Sequence, residues 1–183
     1  MKKFNSLNDN VPFVQSDNYN KEKGEYSSPA LQDYADKLNR DGFCVLNLDI
    51  NNSIIDTINF DIEATIKKNN FKKNSNAYHY NDSPRIVEAW KYSESIKKVV
   101  FNKKLNNLLT YCYNSNPIPI STINFLKGAE QPLHSDEFHF GSIPHRYLTG
   151  CWIALEDIHQ DSGPLSLAAK SHRMPIFSFE MLN

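Results

Sequence analysis

Apolar residues recur with a helical period through the first part of the chain and with a period of two after Pro117, and this change of rhythm predicts helices first and strands later. Leu31, Tyr34, Ala35 and Leu38 share one helical face. Ser28-Pro29 supplies an N-cap and first helical residue for it, and Asp41-Gly42 a stop. Residues 43–48 follow as a short β-rich strand. Asn52 or Ser53 caps a second helix, with Ile54, Ile58, Ile62 and Ile66 recurring along its core-facing side. Residues 71–92 read as a polar connection holding His79, Tyr80, Arg85 and Trp90. Ser93 starts a helical region with Ile96, Val99 and Val100, broken near Asn102 before Leu105, Leu108 and Leu109.

Beyond Pro117, Ile118, Ile120, Thr122, Asn124 and Leu126 alternate with their neighbours as a strand running into a Lys127-Gly128-Ala129 turn. Residues 141–146 read as a loop and 147–155 as a strand with Leu148, Gly150, Trp152 and Ala154 on one side. Asp161-Ser162-Gly163-Pro164 is turn chemistry, and 165–169 makes a third strand of this half. Residues 1-27 have isolated aromatics at Phe4, Phe13, Tyr19 and Tyr26 but no period, which predicts a flexible N-terminal arm. The expected organisation is therefore an arm followed by one domain over 28-183, helical over 28-116 and β over 117-183.

Composition narrows the class. The chain has 183 residues, 40% hydrophobic content, 22% charged residues and a net charge of -1, as in one soluble globular domain. A pI of 6.6 argues against a nucleic-acid surface, which needs a concentrated excess of Lys and Arg. The pairs Lys67-Lys68, Lys72-Lys73, Lys97-Lys98 and Lys103-Lys104 read as solvated helix faces. Cys44, Cys112 and Cys151 have no Cys-x-x-Cys spacing and make an odd count, the pattern of free thiols in a reducing compartment. The start Met1-Lys2-Lys3-Phe4 lacks the apolar core of a signal peptide, and no run is long enough to span a membrane. A cytoplasmic location is expected, and oligomeric state is not legible.

The candidate chemistry lies in Gln131-Pro132-Leu133-His134-Ser135-Asp136-Glu137-Phe138-His139. In extended chain, alternate residues project to the same side, so the His134 imidazole and Asp136 carboxylate converge. A neutral nitrogen and an anionic oxygen so placed are two thirds of the facial triad that holds Fe(II) with open positions. The bland reading is a histidine oriented by a nearby carboxylate on a polar surface. A third reading is a Zn(II) site, structural or hydrolytic, built from His134, Asp136 and His139 or His145. His139 and His145 otherwise belong to the following loop, and His159 to a surface turn. Arg85 is a candidate partner for a carboxylate, and Tyr78 and Trp90 for a pocket wall.

Gln131 to Asp136, then Thr149-Gly150-Cys151-Trp152-Ile153-Ala154-Leu155-Glu156-Asp157, then Ser162-Gly163-Pro164-Leu165 and Lys170-Ser171-His172 together resemble the phytanoyl-CoA dioxygenase family. The helix, Asp41-Gly42-Phe43 and β-rich run near the start resemble that family's layout as well. The resemblance implies an α+β chain built on a double-stranded β-helix, a jelly roll of the cupin-like kind, with N-terminal helices packed on it. It implies an Fe(II)- and 2-oxoglutarate-dependent dioxygenase that hydroxylates a small molecule with O2. His134 and Asp136 would be metal ligands, with Trp152 and Gln131 at the cosubstrate.

One departure matters. In the family, the second histidine ligand and the arginine that grips 2-oxoglutarate lie on strands past the Ser-His block, and here only Arg146 and Arg173 follow Asp136. His172 matches the family's strand-end histidine, which is not a ligand there. The expectation is that the C-terminal strands are missing, that the catalytic set is incomplete, and that turnover is weak or absent. A noncatalytic binding or interaction module on the same fold is the alternative.

Overall fold

A computed structural model describes residues 11–24, 28–68, 77–80, 83–125 and 131–175. Among them the chain is a mixture of helices and one short antiparallel sheet. A 3-10 turn at Phe13–Gln15 leads to the one-turn helix α1 (Tyr19–Glu22). Helix α2 (Pro29–Asp41) has the predicted ends: the Ser28 hydroxyl accepts from the Leu31 amide at 3.3 Å, and Gly42, at φ 86°, donates back to Leu38 O at 3.0 Å.

Helix α3 (Asn52–Lys68) buries Ile58 and Ile62, with Ile54 and Ile66 at the rim of the same core. Asn51 caps it, its side-chain oxygen accepting from the Ile54 amide at 3.0 Å, so the helix starts just before the predicted position. Strands β1 (Ala77–Tyr80) and β2 (Ser83–Val87) form a hairpin, and a 3-10 turn at Ala89–Lys91 leads to α4 (Glu94–Val100) and α5 (Lys103–Tyr113). The break between these two helices is at Asn102, as its sequence predicts, because its side chain accepts from the amides of Lys104 and Leu105. Strand β3 (Ile123–Phe125) completes the sheet in the order β1-β2-β3, and α6 (Asp136–Phe140) precedes the last stretch.

Two cores hold these elements. The first joins Phe13, Val14 and Tyr19 to Ala35 of α2 and Leu108, Tyr111 and Cys112 of α5. The Phe13 ring meets Tyr19 and Tyr111 edge-on, at centroid distances of 5.4 and 5.6 Å. The second joins Ile58 and Ile62 to Ile86, Ala89, Ile96 and Val99. Residues 43–50 stitch the two together: Cys44 and Leu46 pack on the first core, Leu48 and Ile50 on the second, while Val45 points to solvent.

Several expectations are corrected. Residues 11–24 are no flexible arm, since Phe13 and Tyr19 are fully buried and Tyr19 Oη donates to Asp36 at 2.8 Å. A period-based reading misses them because a single 3-10 turn and a one-turn helix deliver the aromatics, both too short to show a repeat. Residues 1–10 and 25–27 lie outside the described residues. Residues 43–48 keep the alternation of a strand without a ladder, and 147–155 and 165–169 are likewise irregular. Of the strand predicted from Pro117, only Ile123–Phe125 pairs, and the Lys127-Gly128-Ala129 turn lies outside the described residues. Most of the sheet falls instead in the expected helical part, where Tyr78 faces Arg85 and Arg85 faces Phe125 across the pairing. No double-stranded β-helix is seen among the described residues. Alternation needs only one covered face, whereas a strand needs a partner ladder, which a local pattern does not specify.

Candidate metal centre

His134 and Asp136 are brought together across Ser135, which is extended at φ -106° and ψ 124°. His134 lies in irregular chain, and Asp136 is the first residue of α6. That helix starts at Ser135 because the acidic pair Asp136 and Glu137 suits the positive end of a helix, and Gly141 at φ 57° ends it. His134 Nε2 and Asp136 Oδ1 are 3.4 Å apart, with side chains 32% and 52% exposed.

The orientation of the ring is informative. Its Nδ1 is 2.8 Å from the carbonyl oxygen of Pro132, which can only accept, so Nδ1 carries the proton. In the neutral ring Nε2 then offers a lone pair towards a carboxylate that also offers lone pairs. Two such donors facing each other are arranged to suit a shared cation. Ligands each about 2.1 Å from one ion, at octahedral to tetrahedral angles, lie roughly 3.0–3.4 Å apart, which this pair matches. A backbone carbonyl on the remote nitrogen is the usual support of a metal-bound histidine.

Glu137 organises the loop behind the pair. Its Oε1 accepts from the Ser142 hydroxyl at 2.8 Å, the Arg146 amide at 3.1 Å, the Ser142 amide at 3.2 Å and His145 Nδ1 at 3.3 Å. Burial pushes the Glu137 carboxyl up, but these donors outweigh it and hold it below the usual carboxylate range. Arg146, itself at φ 72°, donates from its guanidinium to the carbonyls of His172 and Met174.

The flanking segment 147–155 is anchored from both sides. Tyr147 Oη donates to Val11 O at 3.1 Å, and Tyr113 Oη to Leu148 O at 3.2 Å. Further along, Ile153 and Leu155 pack on the second core. Burial pushes the Tyr113 phenol up to about 12.

The other predicted site residues are placed apart. Trp152 is 51% exposed and Gln131 is exposed; no hydrogen bond or ring contact among the described residues links either to the pair. The His139 ring stands edge-on to His134 at 5.3 Å between centroids, and His145 is held on Glu137. Among the described residues, no group of three or more His, Cys, Asp or Glu side chains is placed to hold an ion. Arg85 is buried with its guanidinium 5.0 Å from the Phe125 ring centroid, and Trp90 packs on the second core. Glu137 and Arg146 were not singled out by their sequence context. The only signal for Glu137 was its place in the first turn after Ser135.

The family model described as phytanoyl-CoA dioxygenase (PhyH) matches residues 38–181, most of the chain. This protein belongs to the phytanoyl-CoA dioxygenase family, whose chemistry is Fe(II)- and 2-oxoglutarate-dependent oxygenation and whose fold is cupin-like. No curated protein and no solved structure matches the chain. No helix among the described residues is long and apolar enough to cross a membrane.

Proposed function

We propose that this chain is an Fe(II)- and 2-oxoglutarate-dependent oxygenase of a small molecule, with His134 and Asp136 as two of the protein ligands to iron. The observation that carries this reading is the 3.4 Å approach of His134 Nε2 to Asp136 Oδ1, with His134 Nδ1 engaged by Pro132. Family membership supports it independently. Bound iron and 2-oxoglutarate would supply the power to activate O2 and oxidise a C–H bond.

The chain's own residues do the positioning. Pro132 holds the tautomer that keeps Nε2 available, and the loop closed on Glu137 fixes the turn that starts at Asp136. Trp152 and Gln131 are the proposed cosubstrate contacts, and the fold is proposed to be the family's double-stranded β-helix.

Anaerobic titration of the full chain with Fe(II), followed by 2-oxoglutarate and O2 with succinate measured, tests the reading. Binding and succinate release that both disappear in His134→Ala support it, and absence of any Fe(II) binding overturns it. Binding without succinate favours a noncatalytic module on the same fold.

A further inference from the structure

Asp136 has a second close neighbour besides His134. A Cβ built on Gly150 would stand 3.0 Å from Asp136 Oδ2, tighter than an ordinary carbon–oxygen contact. Gly150 does not have a left-handed φ, so its backbone would accept alanine without strain. The missing side chain is therefore a matter of space.

The segment bearing Gly150 has little freedom to retreat. On one side Tyr113 holds Leu148 and Thr149, and Tyr147 holds Val11; on the other, Ile153 and Leu155 are packed in the second core. Asp136 is fixed through its backbone too, because Glu137 is bound by four donors from the 142–146 loop. With both backbones held, the element that yields to an added methyl is the Asp136 side chain.

We infer that Gly150 is a positioning residue for Asp136, its bare α-carbon forming the floor that turns the carboxylate so that Oδ1 meets His134 Nε2. This deepens the metal reading and rests on it. Gly150→Ala would displace the carboxylate by a few tenths of an ångström, and a misplaced ligand of this kind should weaken metal affinity by about 10-fold.

The test uses the full chain and Co(II), whose ligand-field absorption reports ligand geometry. Wild type should give a band, and Gly150→Ala a shifted band with about 10-fold weaker binding. A wild-type band and affinity retained in Gly150→Ala overturn the inference alone. No band in wild type removes the metal reading and the inference with it.

A metal-free cycle of urea midpoints decides the contact itself: Gly150→Ala should lower the midpoint in the Asp136 background and much less in Asp136→Ala. Equal losses in the two backgrounds overturn the inference. Should Gly150→Ala fail to fold, the double variant with Asp136→Ala is expected to fold, and its failure would also overturn it.

Discussion

The ring of His172 lies against Gly42 so closely that a Cβ there would overlap His172 Nδ1. The contact belongs to a cap on the C-terminal end of α2. His172 Nε2 donates to Asn39 O at 3.0 Å, Arg173 Nη2 donates to the same carbonyl at 2.8 Å, and the Lys170 amide donates to Asp41 O at 2.8 Å. These carbonyls have no partner within the helix, and a positive group near them also favours the helix dipole. A block that resembles a family strand end thus serves here to tie the last described segment to an early helix.

Gly42→Ala should be among the most damaging single substitutions. It combines a φ of 86° with the clash on His172, and a loss of about 2–4 kcal/mol is expected. In a His172→Ala background the ring clash is gone, leaving backbone strain of about 1–2 kcal/mol and the milder 3.2 Å approach to the Cβ of residue 172, so the loss should be smaller. Urea denaturation of the four proteins measures both, and equal losses in the two backgrounds would refute the contact.

Acid should weaken the same junction. Burial lowers the His172 imidazole below its ordinary value, with Arg173 and Arg146 adding to that, although the bond to Asn39 opposes it. A depressed value in the folded state means that the unfolded chain takes the proton first. The stabilising contribution is then complete above the unfolded value of about 6.5 and is lost as pH falls through the folded one. Wild type should lose more stability between pH 7.5 and 5 than His172→Gln, and parallel pH profiles would exclude the effect.

Phe13→Ala should cost about 3–5 kcal/mol, as for any large core aromatic. Phe13 is fully buried between Tyr19 and Tyr111, and Tyr111 in turn donates to Gln32 at 2.8 Å. A dispensable arm predicts no change in the thermal midpoint, so the two alternatives separate cleanly.

Thiol labelling should be uneven. Cys112 is fully buried and burial pushes its thiol up to about 12, so it should resist a maleimide at pH 7.5 until the chain unfolds. Mass spectrometry of native and urea-treated protein gives the comparison, and rapid native labelling of Cys112 would contradict the packing of the first core.

Local chemistry already spells out much of this molecule. Ser28-Pro29, Asp41-Gly42, the isoleucine repeat of α3 and the break at Asn102 are written in neighbouring residues, because caps and helical faces depend on spacing along one segment. The pairing of His134 with Asp136 was legible for the same reason, since the residues are nearly adjacent. The hairpin signal was present too, but easily passed over: Tyr80 pairs with Ser83, leaving Asn81-Asp82, turn-forming types, between them.

Tertiary structure alone decided which alternating segments found a ladder, why Phe13 and Tyr19 are core, and what Gly150 and His172 touch. Each of these depends on contacts between segments far apart in the chain. Sequence spacing sets which way a side chain points, but only the packed fold determines what stands opposite it.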